Sequence, residues 1–435
     1  AERVFVIGGR EFGEREGHIL VIKKALYGLR SSGKRWHDRL FDCLTELGFN
    51  PCKAEPDIWM RRNQDVYEYV AVYVDDLAMA LKNPQEILDQ LTSPPYNFKL
   101  KGSGPISFHL GMDFYRDQHG ILCMAPKKYI EKMIANYERL FGEPPKTNVS
   151  APIEKGDHPE MDTSELLGDE GIKTYQSLIG GLQWIVTIGR FDVMTAVMTL
   201  SSFRAAPRKG HLERAKRIYG YLSKMRHAAI RVRTDEPDYS DLPVQQIDWS
   251  RTVYGQLEEI IPDDAPEPLG KFVTLTHYKD ANLMHDLVTG RSVTGILHFL
   301  NKTPVEWYSK KQSTVEVATY SSEMLAMRTC VEQVIDLRNT LRYLGVPIRD
   351  KSYVFGDNES VVKSSAQPHA KLHKRHNMLS FHFVREAIAR GFIHFTHIPG
   401  KENPADIMSK HWGYSDVWHL LKPMLFWEGD TLDIE

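Results

Sequence analysis

Cysteine is scarce in this 435-residue chain. Cys43, Cys52, Cys123 and Cys330 stand far apart, without the close pairing of a zinc ligand set. They fit core packing in a reducing compartment better than disulfides or a cysteine-built metal site. Long apolar runs are also missing: no stretch approaches the roughly 20 residues of a membrane helix, so no membrane association is expected. A net charge of −2 leaves no basic field over the whole molecule. The opening Ala1-Glu2-Arg3-Val4 has neither an initiator Met nor a signal-peptide pattern. The strand-like run Val4–Gly9 directly behind it reads as the start of a piece cut from something longer, inside the cell.

What is present is ordinary globular composition, 42% hydrophobic and 26% charged, over a length that suggests about two to four domains. The charge is unevenly placed. Arg204 to Arg233 holds ten Lys/Arg and one acid, and Asp235 to Glu267 ten acids and one base. A phosphate-binding surface followed by a solvated linker fits that pattern, as do two plain solvated faces.

The stretch that organises the first half is Tyr73-Val74-Asp75-Asp76, set between apolar β-formers at 69–72 and 77–80. It reads as a buried hairpin with two carboxylates at its turn. Adjacent buried acids need a compensating cation, and a hard divalent ion suits them. Upstream, Gly33 to Leu47 patterns as a helix with Trp36, Leu40, Cys43, Leu44 and Leu47 on one face. Lys34 and Arg35 open it, near Lys23, Lys24, Arg30 and Arg39, where a nucleic-acid backbone could pass. Downstream, Pro84–Leu91 reads as a short helix, His109–Phe114 as a strand and Pro126–Leu140 as a helix. Residues 141–172 read as a loop, and Tyr175–Ala205 and His211–Arg226 as helices.

Beyond the acidic run the order becomes three strands, a long helix at about 319–344, a strand ending before Asp357, two helices, a strand and a last helix. Three sequential strands and two reached by helical crossovers imply a mixed five-stranded sheet with helices on its faces. Four acids fall at the ends of these elements: Asp280 after the first strand, Glu323 early in the long helix, Asp357 after the fourth strand and Asp406 in the last helix. Converging, they would hold two divalent ions about 4 Å apart for phosphodiester cleavage.

The chain resembles the reverse transcriptase–ribonuclease H part of copia-type LTR-retrotransposon polyproteins. Ala25–Gly33, Tyr73–Asp76, His109–Met112, Tyr175–Leu182 and Ala215–Leu222 resemble polymerase, thumb and connection segments of that family. Ser292–Gly295, Trp307–Gln312, Asp357–Ser360, Asn403–Asp406 and Arg375-His376 ahead of His382–Glu386 resemble its ribonuclease H. The implied architecture is an incomplete fingers/palm at 1–125, a thumb/connection at 126–232, an acidic linker at 233–270, an α/β ribonuclease H-like domain at 271–415 and a tail at 416–435. The resemblance implies that Asp75 and Asp76 carry polymerase chemistry, and that Asp280, Glu323, Asp357 and Asp406 carry ribonuclease H chemistry. All six are its metal ligands, for Mg²⁺ or alternatively Mn²⁺. Lys34, Arg35, Tyr73, His109, Gly111, Arg217, Lys310, Lys311 and His376 are its expected nucleic-acid contacts. The implied partners are an RNA–DNA hybrid, a template-primer and dNTP, with homodimerisation open and the cytoplasm, nucleus or a virus-like particle as the place.

Two departures bear on activity. The family's first polymerase carboxylate lies upstream of where this chain begins, so little polymerase activity is expected of the chain alone. Where the family has Asp-Ala-Asp-Trp, this chain has Asp280-Ala281-Asn282-Leu283. Asp280 is kept over Asp286, and Glu323 over Glu316. The late histidines (His369, His373, His376, His382, His394 and His397) lack cysteine neighbours for zinc; His373 or His376 could assist product release. Trp307 and Tyr308 read either as hybrid contacts or as core. The rivals to a nuclease are a non-catalytic nucleic-acid-binding remnant and an interaction protein that has reused the fold.

Overall fold

The computed structural model describes residues 4–22, 32–242, 248–255, 258–372 and 375–427. The segment Ala25–Ser31, with Lys23, Lys24 and Arg30, lies outside them, as does His373. The chain divides into two compact units, Ala1–Pro105 and Ile106–Glu435.

In the first unit a four-stranded sheet runs in the order Asn50–Pro51, Ile58–Asn63, Val66–Tyr73, Asp76–Ala80, all antiparallel. Alternation puts Val70 and Val72 on the buried face. The helices Ser32–Glu46 and Pro84–Thr92 cover it with Leu40, Cys43, Leu44, Ile87 and Leu91. The same periodicity buries Glu68, which Arg61 neutralises at 2.6 Å. Gly48, at φ +83°, ends the first helix by a left-handed turn.

The second unit begins with a sheet ordered Ile230–Arg231, Leu122–Ala125, Met112–Arg116, Phe108–His109. The expected single strand over 109–114 is instead a tight hairpin: Leu110 and Gly111, both at positive φ, reverse the chain. The helix expected over 175–205 is two, Asp169–Thr187 and Met194–Ser201, broken where Gly189 takes φ +110°. Arg190 is buried at that break and makes a bidentate pair with Asp192, which also accepts from the Tyr221 hydroxyl. Helices Lys127–Phe141 and Lys209–Lys224 complete this layer.

A five-stranded part follows. Its strands are β1 (Leu275–Asn282), β2 (Val293–Leu300), β3 (Thr303–Lys311), β4 (Ser352–Gly356) and β5 (Ile393–His397). They form the expected mixed sheet in the order β3-β2-β1-β4-β5, antiparallel across the first three and parallel across β1-β4-β5. Helix α1 (Thr319–Tyr343) buries Met324, Met327, Val331 and Val334 at helical spacing. It is followed by α2 (Glu359–Ala366), α3 (Met378–Ala389), the single turn α4 (Asp406–Ser409) and α5 (Tyr414–Leu425).

Two expectations are corrected here. Residues 416–435, read as a tail, contain most of α5, whose Val417, Leu421 and Leu425 enter the hydrophobic core of the helical layer. The acidic run, read as a solvated linker, is in part packed on the helices and strands of this five-stranded part. Glu259 pairs with Arg338 and Arg342, Glu236 with Arg349, and Trp249 sits in the core under Arg385. Two of the acids thus meet basic partners on α1 and just after it.

Candidate carboxylate site

β1 carries Asp280 inside the strand, not after it, and 1% exposed. α1 brings Glu323, likewise buried, over the strand; its Oε1 accepts from the Ala281 amide at 3.3 Å. β4 ends at Gly356 and delivers Asp357; Asn358 then caps α2 through a bond from the Val361 amide. Asp280, Glu323 and Asp357 each offer one oxygen within 4.8 Å of the others.

Asp406 stands beside this trio and is joined to it by Lys410, whose Nζ lies 2.6 Å from Asp406 Oδ1 and 3.2 Å from Asp280 Oδ2. It is placed there by Gly295. A Cβ on Gly295 would stand 2.7 Å from the Ala405 carbonyl oxygen and 2.8 Å from the Ser409 amide nitrogen. Without one, α4 rests directly on β2. Asn403, donating to the Lys279 carbonyl at 3.0 Å, holds the loop before it.

The electrostatics are those of acids crowded out of water. Burial raises the Glu323 carboxyl to about 7; Lys279 pulls it back, while Asp280 and Asp357 push it further up. Burial, then Asp280, likewise raises Asp406 to about 7 and lifts Asp357. Burial works against the Lys410 ammonium, but Asp280 and Asp406 outweigh it and hold the lysine charged.

Sequence reasoning missed three participants. Ser409 donates to Asp280, Lys410 bridges two acids, and Lys279, fully buried, sits 2.6 Å from Glu323. A lysine directly beside Asp280 in the strand was the available signal for the last. Three oxygen donors within reach of one another suit a hard divalent cation. The rejected alternatives lie elsewhere: Asp286 pairs with Lys311, and Glu316 faces His376 at 3.7 Å.

The other expected residues fall into two groups. Lys34, Tyr73, Lys310 and His376 are exposed, and Arg35, His109 and Gly111 half-buried. Arg217 is instead tied to Glu154 and the Ala151 carbonyl, and Lys311 to Asp286. Trp307 is core, donating to the Val186 carbonyl at 2.9 Å and packing on Phe191. Asp75 and Asp76 are exposed, not buried: Val74 and Asp75 form the turn, and Tyr73 pairs with Asp76. Of the late histidines, His382 touches Tyr254, His394 touches Tyr353, and His397 lies 3.2 Å from the Asp357 carbonyl, so the described ones do not gather. A cleft of about 500 Å³ beside Asp113 is lined by Lys127, Lys128, Arg226 and His227.

Residues 2–151 match the family of reverse transcriptases (RNA-dependent DNA polymerases). The chain is 22% identical over 91% of its length to the retrovirus-related Pol polyprotein of transposon RE1 from Arabidopsis thaliana, and 23% over 92% to that of transposon TNT 1-94 from Nicotiana tabacum. It spans about a quarter of those relatives, 24% and 28% of their lengths. A putative transposon Ty5-1 protein of Saccharomyces cerevisiae is 26% identical over 71% of this chain and 87% of its own. Among solved structures, an RNase H1 in complex with an RNA/DNA hybrid aligns with 31% of this chain and 94% of its own at a TM-score of 0.26 and 14% identity. A foamy viral protease–reverse transcriptase aligns with 88% and 40% at a TM-score of 0.37 and 12% identity. Over most of its length the chain is thus similar to copia-type retrotransposon Pol polyproteins, and residues 2–151 match the reverse transcriptase family model.

Proposed function

We propose that the second unit hydrolyses the RNA strand of an RNA–DNA hybrid with a divalent cation, and that Asp280, Glu323, Asp357 and Asp406 are its ligands. The observation that carries this is the meeting of three acids, 43 and 34 residues apart in order, within 4.8 Å. Mg²⁺ or Mn²⁺, when bound, supplies Lewis-acid charge for the phosphodiester and acidifies water; two such ions are what the family resemblance implies. The chain's own groups do the positioning. Ser409 and Lys410 fix the Asp280 carboxylate, and Lys410 tempers the repulsion between Asp280 and Asp406. His397, at the Asp357 carbonyl, orients the end of β4.

Nuclease activity outweighs polymerase activity in this reading. Among the described residues the one group of three metal-type donors is that of Asp280, and neither Asp75 nor Asp76 belongs to it. Template-primer and dNTP binding around Asp75 and Asp76 is part of the same proposal for the intact polyprotein. The exposed Lys34, Tyr73, Lys310 and His376, with half-buried Arg35, His109 and Gly111, would hold nucleic acid with steep salt dependence. The cleft of Lys127, Lys128 and Arg226 adds to that set.

The test is Asp357→Asn in the full chain. Cleavage of a labelled hybrid in Mg²⁺ should fall at least 100-fold, with hybrid affinity unchanged within about twofold; unaltered cleavage rejects the assignment. A second reading, a nucleic-acid-binding remnant without catalysis, is favoured by one observation: a lysine already occupies Glu323. Intact RNA strands after incubation with wild-type protein and Mg²⁺ would select it.

A further inference from the structure

We propose that Lys279 is a built-in cation of the carboxylate site, one that withholds Glu323 from a divalent ion and so sets a weak metal affinity. The inference rests on the metal-dependent reading above and concerns which residue tunes it.

The Lys279 side chain is fully buried, its partner Glu323 is 3% exposed, and Nζ to Oε2 is 2.6 Å. Its path is built into the sheet. A Cβ on Gly356 would collide with Lys279 Cε and stand 2.9 Å from Nζ, so the lysine runs through space that any other residue at 356 would fill. The centroid of the Phe395 ring lies 5.7 Å from the ammonium. A buried ammonium stripped of its partner is costly. A divalent ion that takes Glu323 must therefore displace a charge with nowhere to go. Lys410 differs: it is 37% exposed at the rim and can turn to water as an ion enters. Charge points the same way. Four carboxylates against two ammonium groups leave two negative charges, where four free acids would attract a divalent ion far more strongly.

The test uses full-length protein carrying Asp75→Asn and Asp76→Asn, so that Mn²⁺ binding reports this site alone. Affinity is read by calorimetry and by the EPR signal of free Mn²⁺. Lys279→Ser with Gly356→Ala removes the ammonium and refills its space; Mn²⁺ should bind at least tenfold tighter. Adding Glu323→Gln should abolish that gain. Lys279→Met, which keeps most of the volume, is read the same way should the first pair fail to fold. Unchanged affinity after loss of Lys279, or a gain that survives Glu323→Gln, overturns the inference and leaves the nuclease reading standing. Absence of Mn²⁺ binding in every form overturns both.

Discussion

Glu323 lies in opposing fields: burial and Asp280 hold its proton on, and Lys279 drives it off. A side chain so balanced is sensitive to each neighbour, which is why single substitutions around it are informative. The clearest energetic case among single residues lies elsewhere, at Arg190. Its guanidinium is fully buried and satisfied by Asp192 and the Met225 carbonyl. Asp192→Ala would strand that charge, and a buried ion pair broken on one side costs about 3–5 kcal/mol. Urea unfolding followed by tryptophan fluorescence should show a loss of that order; a loss below about 1 kcal/mol would mean that water reaches Arg190. At this scale the sequence carried the acids well. Asp357 follows β4, Asp406 opens α4, Glu323 lies early in α1 and Asp280 near the end of β1, and three of them meet. It could not carry Lys279. Strand periodicity tells which way a side chain leaves the backbone, not that a vacant Cβ position at Gly356 lets a lysine reach a carboxylate.

Among elements, the short turn α4 has the most precarious seat. Its backbone touches β2 only because position 295 is glycine. Gly295→Ala should lift α4, move Asp406 and Ser409 away from Asp280, and lower stability by about 1–3 kcal/mol through overpacking. Hybrid cleavage should fall more steeply than hybrid binding. Equal losses in both, or none, would show that α4 is free to shift. The elements of the five-stranded part were legible because they are bounded by clear stops: Gly345 and Pro347 after α1, Asn358 before α2. The misread elements share another cause. Gly189 splits one apolar run into two helices, and Leu110-Gly111 folds one apparent strand into a hairpin. In both, a local backbone conformation overrides a continuous hydrophobic pattern. The α5 helix escaped notice because its apolar face is short and its partners lie some 200 residues earlier, at the helical layer.

Across the whole molecule, the second unit is laced with histidines kept neutral by burial. Burial, then the neighbouring His411, lowers His285 to about 3; burial lowers His298 to about 4, and His277, His211, His394 and His411 also sit below the ordinary histidine value. The unfolded chain therefore binds more protons than the folded one between those values and about 6.5. This contribution to stability is intact above pH 6.5 and is lost progressively as pH falls. His285 and His298 each forfeit on the order of 2 kcal/mol by pH 5. Glu323 and Asp406, raised to about 7, act in the opposite sense, since protonation relieves them. These two acids offset His285 and His298 to the same order, so the sign rests on the remaining buried histidines, His277, His211, His394 and His411; the urea midpoint should drop between pH 7.5 and pH 5, and a midpoint that holds or rises would mean that these four are hydrated. The acidic strap acts at this scale too. Composition marked it as solvent-facing, yet Glu236 and Glu259 find arginines on the five-stranded part. Charge runs show what a segment would pair with, and only the fold shows whether the partner is there.

The most direct measurement is the fate of the RNA strand in a labelled RNA–DNA hybrid incubated with the intact 435-residue chain, with Mg²⁺ and with chelator. Divalent-dependent cutting that leaves 3′-hydroxyl ends, confined to the hybrid, is the predicted result. An RNA strand that stays whole at saturating Mg²⁺, or is cut equally well in chelator, would contradict it.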